Sequence, residues 1–291
     1  MRRNALVFVL AALPIAACAA VMDSLEKATG EDTVEGKLIR GASRLRKSFQ
    51  DLDPSEEHFI GRSVAAEILA LPQYPLADDE ALLAYVERVG HGLVATNDGV
   101  RRPFLDYRFG ILATDEVNAF ACPGGLILVT RGLLAKTHGE DELAAVLAHE
   151  IAHVTLRHGV AAIQQANLAE AFTYLGAGAA QATMKQEDLQ KVTGLFDSSV
   201  GDIVQTLVTS GYSREAELEA DALGRQFLAG TGYDPQALTQ LLEGMHGAGG
   251  MLATHPSPQD RIEALGEPLA FAGDPAAAAQ RGARYDTALG R

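Results

Sequence analysis

The sequence predicts an α+β domain, mainly helical, with one small sheet. Three observations carry this. Hydrophobic residues make up 47% of the 291 residues, yet aromatics are only 6% and tryptophan is absent. The core must therefore be rich in Ala, Leu and Val, which suits packed helices. Several segments repeat apolar residues at helical spacing. Three short runs, 105–113, 117–121 and 126–130, read instead as strands. The last two flank Cys122-Pro123-Gly124-Gly125, where Pro sets the first dihedral of a reversal and Gly permits a positive one.

Length and charge narrow the field. A chain of this size buries one large core with small appendages. Its formal net charge of -14 comes without any dense Lys/Arg stripe, which aids solubility and argues against nucleic acid as a partner.

At the N-terminus, Arg2 and Arg3 precede an apolar run from Ala5 to Ala17, which has signal-peptide length and is short of the roughly 20 residues a spanning helix needs. The run closes on Ile15-Ala16-Ala17-Cys18 and resembles the bacterial lipobox, implying a lipoprotein signal peptide over residues 1–17 and a lipid on Cys18. By resemblance to lipoprotein sorting rules, Ala19 implies anchoring to the outer membrane, facing the periplasm. Residues 18–52 read as a polar tether. With Cys18 modified, Cys122 is the one cysteine left, and no disulfide framework is expected.

In the body, Asp53-Pro54-Ser55-Glu56-Glu57 opens a helix to about Leu69, and a second runs from Asp78 to about Ala95 before Asn97-Asp98-Gly99 breaks it. Residues 140–165 read as the strongest helix, with Leu143, Val146, Leu147, Ile151 and Val154 on its buried stripe. Helical segments follow at 166–183 and 195–208. Ser213 caps another over 214–229, and Tyr233-Asp234-Pro235 begins one reaching about Met245. Gly247 to Gly250 reads as a flexible loop before Thr254-His255-Pro256, and residues 266–291 as a short tail.

The chemistry lies in His149-Glu150-Ile151-Ala152-His153. Four residues advance about 400° on a helix, so both imidazoles leave one face, one turn apart, and can share a Zn²⁺. Glu150 sits beside them, placed to act on water. A third protein ligand is still required. His158 is out of step with the histidine spacing of metzincins, and the reading leaves it at a solvated helix end. The helix at Glu215, Glu217, Glu219 and Asp221 offers a better candidate. Glu217 and Asp221 share a face with small residues, while Glu215 and Glu219 point to solvent. Glu217 can then ligate, and Asp221 can accept a hydrogen bond from a ligating histidine. His58, His91, His138 and His246 read as surface residues.

Tyr212 to Asp221 (YSREAELEAD), His149 to His153 and the NAFACPGG stretch from Asn118 to Gly125 together resemble the HtpX and type I CAAX prenyl protease family, closest to its soluble periplasmic lipoprotein branch. The similarity spans residues 53–265 and implies a zincin-like metallopeptidase domain of the HExxH gluzincin type. It implies one zinc per chain on His149, His153 and Glu217, with Glu150 as catalytic base. It also implies that Asn118, Ala119, Phe120 and Ala121 form an edge strand that faces the HExxH helix and binds substrate backbone. His255 resembles a histidine that occupies zinc's fourth position and holds such enzymes inactive; His255, Arg214 and Tyr212 all remain candidates to stabilise an oxyanion. The expected function is endopeptidase cleavage of unfolded or misassembled proteins of the bacterial cell envelope, with unfolded polypeptides and, through the lipid, a membrane as partners. The alternative is a non-catalytic holdase or assembly factor using the same groove.

Overall fold

A computed structural model describes residues 54–161, 194, 197, 198, 200–245, 255 and 257–290. The signal peptide with Cys18, the tether, the segment 166–183, His246 and the glycine loop at 247–250 lie outside the described residues. None of the described helices is long and apolar enough to cross a membrane.

Two helices come first, α1 (Pro54–Ala70) and α2 (Glu80–Thr96). The Asp79 side chain accepts the Leu82 N–H at 3.1 Å and fixes the start of α2. Three strands follow, β1 (Arg108–Leu112), β2 (Ala119–Cys122) and β3 (Leu126–Thr130), in the order β1-β3-β2. β1 runs parallel to β3; β2 is antiparallel to it, pairing Ala119 with Val129 and Cys122 with Leu126. The reversal between β2 and β3 is a 3₁₀ turn over Pro123–Gly125. Gly124 has φ 71°, and its α-carbon faces the His58 backbone of α1 so closely that a β-carbon there would lie 2.6 Å from it. Only glycine meets both demands.

Past the sheet lie α3 (Arg131–Lys136), α4 (Glu140–Thr155), a π-helical turn at Thr206–Ser210, α5 (Arg214–Thr231), α6 (Ala237–Gly244), α7 (Pro258–Leu265) and α8 (Pro275–Leu289). The buried core joins α2, the inner face of the sheet, α4, α5 and α6. Its centre is α4, buried from Leu143 through Val154. β2 packs on one side of α4 and α5 on another.

α5 approaches α4 closely because the contact is lined with small residues. Ala148, Ala152 and Ala220 are fully buried. A β-carbon added at Gly224 would lie 3.2 Å from the Ala148 carbonyl carbon and the His149 nitrogen. Those atoms belong to a helix backbone and cannot step aside, so Gly224→Val is expected to cost about 1–3 kcal/mol. Chemical denaturation checks this; unchanged stability would mean that the helices have slack.

The structure departs from the sequence reading in several places. α4 ends at Thr155 rather than near Gln165, because Arg157 takes a left-handed φ of 61° and turns the chain back. Arg157 and Arg101 both pair with the buried Glu57 of α1, Arg101 at 2.9 Å. Residues 131–136, 258–265 and 275–289 form helices that no apolar periodicity announced. The last belongs to the expected tail, yet it closes over the start of α4. Arg284 donates to the buried Glu140 carboxylate at 2.6 and 3.1 Å, alongside the hydroxyls of Tyr85 at 2.9 Å and Tyr233 at 3.0 Å. Arg281 pairs with Asp141 at 3.1 Å, and Tyr285 is buried with its hydroxyl 2.8 Å from Thr137 Oγ1. An Ala-rich helix holding its few long side chains on one face has too weak an apolar stripe to be read from spacing.

Candidate metal centre

His149 and His153 project from one face of α4 with Nε2 atoms 3.0 Å apart. α5 brings Glu217 against them: Oε2 lies 3.5 Å from His149 Nε2 and Oε1 lies 3.5 Å from His153 Nε2. His255 reaches the same point from the segment before α7, its Nδ1 2.6 Å from Glu217 Oε2. The ligating atoms of these four residues all lie within 4.8 Å of one another. His149, His153 and Glu217 are buried.

This donor set fits a zinc ion. Two imidazoles and a carboxylate are zinc's usual partners at a site that keeps a position open. Glu217 Oε1 and Glu150 Oε1 are buried without a hydrogen bond, a costly arrangement unless a further group completes the site. Burial alone would raise the Glu217 carboxyl, but His255 and His149 beside it hold it far below the usual range. Burial and the Arg261 guanidinium oppose a proton on His149, yet hydrogen bonds to Asp221 and Glu217 push it up to about 9. His153, by contrast, is held well below its ordinary value by burial and by His149 beside it, which keeps its ring neutral.

The backs of the two rings are held differently. Asp221 Oδ1 lies 2.9 Å from His149 Nδ1. Arg261 of α7 holds that carboxylate from behind, donating from Nε at 2.7 Å and from Nη2 at 2.6 Å. His153 Nδ1 lies 2.8 Å from His158 Nδ1, and His158 Nε2 lies 3.3 Å from Glu219 Oε2. Tyr212 stacks on the His153 ring at 4.5 Å and 23°.

Glu150 is buried beside the cluster, and burial raises its carboxyl. With His255, Tyr212, Leu207 and Gly211 it lines a small cavity against Ala119 and Ala121 of β2. β2 is an edge of the sheet, but Phe120 is fully buried and Ala119 and Ala121 nearly so. The turn at Thr206–Ser210 lies against it, and Tyr212 donates its hydroxyl to the Ala121 carbonyl at 3.3 Å. Asn118 precedes β2 rather than belonging to it; its Oδ1 accepts the Ala119 N–H at 2.9 Å. Cys122 is fully buried, and burial first, then Glu150, pushes its thiol up to about 12, which makes it inert as a nucleophile.

Two histidines placed at the surface by sequence are buried instead. His58 lies near Phe59 and Phe104. His158 lies behind His153. On a continuous helix the fifth residue after His153 points about 140° away, so only the break at Arg157 brings His158 back, and no local signal marks it. Nothing in the sequence signals the reach of Arg261 into Asp221.

Comparison with known proteins identifies the chain's family. The family model described as Peptidase family M48 matches residues 80–269. The β-barrel assembly-enhancing protease of Yersinia pestis is 34% identical over 198 residues, covering 65% of this chain and 39% of that protein. Its Escherichia coli K12 counterpart is 32% identical over the same length and coverage. The chain thus spans about two fifths of these relatives. Mitochondrial metalloendopeptidase OMA1 of Schizosaccharomyces pombe is 28% identical over 235 residues, covering 76% of this chain and 64% of that protein. The match over residues 80–269, more than half of the chain, places it in peptidase family M48.

Proposed function

We propose that the chain is a zinc-dependent endopeptidase of the bacterial cell envelope that cleaves unfolded or misassembled polypeptides. The observation that carries this is the convergence of His149, His153 and Glu217 with Glu150, whose Oε1 has no hydrogen bond, beside a sheet edge. Names such as β-barrel assembly-enhancing protease support the envelope setting. In this reading a signal peptide over 1–17 exports the chain, a lipid on Cys18 and the tether at 18–52 hold it to the outer membrane, and the domain at 53–265 works in the periplasm.

A bound zinc would polarise the scissile carbonyl and acidify a water. The chain's own residues do the rest. Asp221 orients the His149 ring from behind. Glu150 accepts the water proton and returns it to the leaving amine. An extended substrate adds to β2 as a further strand, which favours unfolded over folded polypeptides. Tyr212 releases the Ala121 carbonyl as the strand enters, and its hydroxyl becomes free to turn toward the cleaved bond.

His255 holds the resting enzyme closed. Its side chain is 7% exposed, with Nδ1 among the candidate ligand atoms 2.6 Å from Glu217 Oε2, where it would take the fourth position that a substrate oxygen needs. A net advantage of about 1.4 kcal/mol for the closed form would keep about nine tenths of molecules shut. The test is casein cleavage with zinc analysis. The wild type should carry one zinc and lose activity to a chelator, and His255→Ala should cleave about tenfold faster. A metal-free wild type would refute the enzyme; a His255→Ala no faster than wild type would refute the latch.

A further inference from the structure

The HExxH spacing explains how two imidazoles meet a metal but not what holds the second ring in place. We propose that His158 and Glu219 form a relay that positions His153 for zinc, as Asp221 does for His149. This rests on the reading of His149, His153 and Glu217 as ligands.

The hydrogen-bond directions follow from the geometry. His153 Nε2 faces His149 Nε2 and Glu217 Oε1, so its lone pair points to the cation. The single proton of the neutral ring then sits on Nδ1 and is donated to His158 Nδ1 at 2.8 Å. His158 must accept there, so its own proton sits on Nε2 and is donated to Glu219 Oε2 at 3.3 Å. One carboxylate thereby sets two tautomers.

The relay is built by the chain reversal that ends α4. Leu156 closes α4, and Arg157 is held in its left-handed conformation by Glu57, so the chain folds back and lays His158 against His153. Tyr212 packs against both rings, stacked on His153 and tilted at 5.9 Å to His158. α5 supplies a ligand at Glu217 and the end of the relay two residues later. Because the Glu219 side chain is 66% exposed, water screens its charge, and His158 is the member that matters most.

The test is zinc affinity, measured by chelator competition on the full chain with circular dichroism as a folding check. His158→Ala should bind zinc about 10–100-fold more weakly than wild type. His158→Asn places an amide oxygen near the Nδ1 position and should stay within about threefold of wild type. Wild-type affinity in His158→Ala, or an equal loss in His158→Asn, would overturn the relay. If His158→Ala does not fold, His158→Leu replaces it, and equal affinities of the Leu and Asn variants overturn the relay. A wild type that holds no zinc removes the ligand reading and the relay together. Tight zinc in every variant removes the relay alone.

Discussion

Glu150→Gln is expected to lower kcat for casein by about 10²–10⁴-fold while leaving one zinc bound per chain. The side chain sits on α4 between His149 and His153 and is 2% exposed, so its replacement must keep its shape. Glutamine does so but takes no proton at neutral pH. Burial raises the Glu150 carboxyl, with the positive groups around His149 pulling the other way. A base whose affinity for protons is lifted toward the working pH both accepts one from water and gives it up. Glu150 Oε1 has no hydrogen bond, so nothing within the described residues competes for it. Parallel loss of zinc and activity would mean that the residue maintains the site. Retained activity with zinc present would mean that another group is the base.

How much of this was legible in the sequence depends on whether a feature is local. The HExxH face, the Ser213 cap and the Pro-Gly-Gly reversal follow from spacing and backbone preference within a few residues. Their elements formed close to where the pattern put them. The end of α4 did not, because Thr155-Leu156-Arg157 contains neither Gly nor Pro, and the turn depends on Glu57, a hundred residues earlier. His158 was misplaced for the same reason. The burial of β2 depends on the turn at Thr206–Ser210 and on Tyr212, partners distant in sequence. α8 escaped notice because its hold on α4 is made through Arg281, Arg284 and Tyr285 rather than an apolar stripe. Long-range polar contacts leave little trace in periodicity, and here they shape the site's surroundings.

Arg261→Met is expected to destabilise the protein by about 3–5 kcal/mol, a fall of about 10 °C in Tm for a unit of this size. Arg261 is 2% exposed and forks onto Asp221 through two bonds. Its Nη1 also lies 3.9 Å from Glu217 Oε2, and its Nη2 3.3 Å from His149 Nδ1. Burial disfavours its charge, but the Asp221 carboxylate more than offsets that and holds the guanidinium charged. Methionine fills similar volume and removes the charge, leaving Asp221 buried without its guanidinium partner. A buried carboxylate stripped of its partner is far costlier than a pair never made. Arg261→Lys should fall between, because a single ammonium cannot bridge both carboxylate oxygens. In Asp221→Asn/Arg261→Met both buried charges are gone, and the double variant should recover part of the loss, since the amide still offers an oxygen to His149. Urea denaturation of the zinc-loaded forms measures all three. A loss below about 1 kcal/mol in Arg261→Met would show that water reaches Asp221, and that α7 is not the brace between α5 and α4.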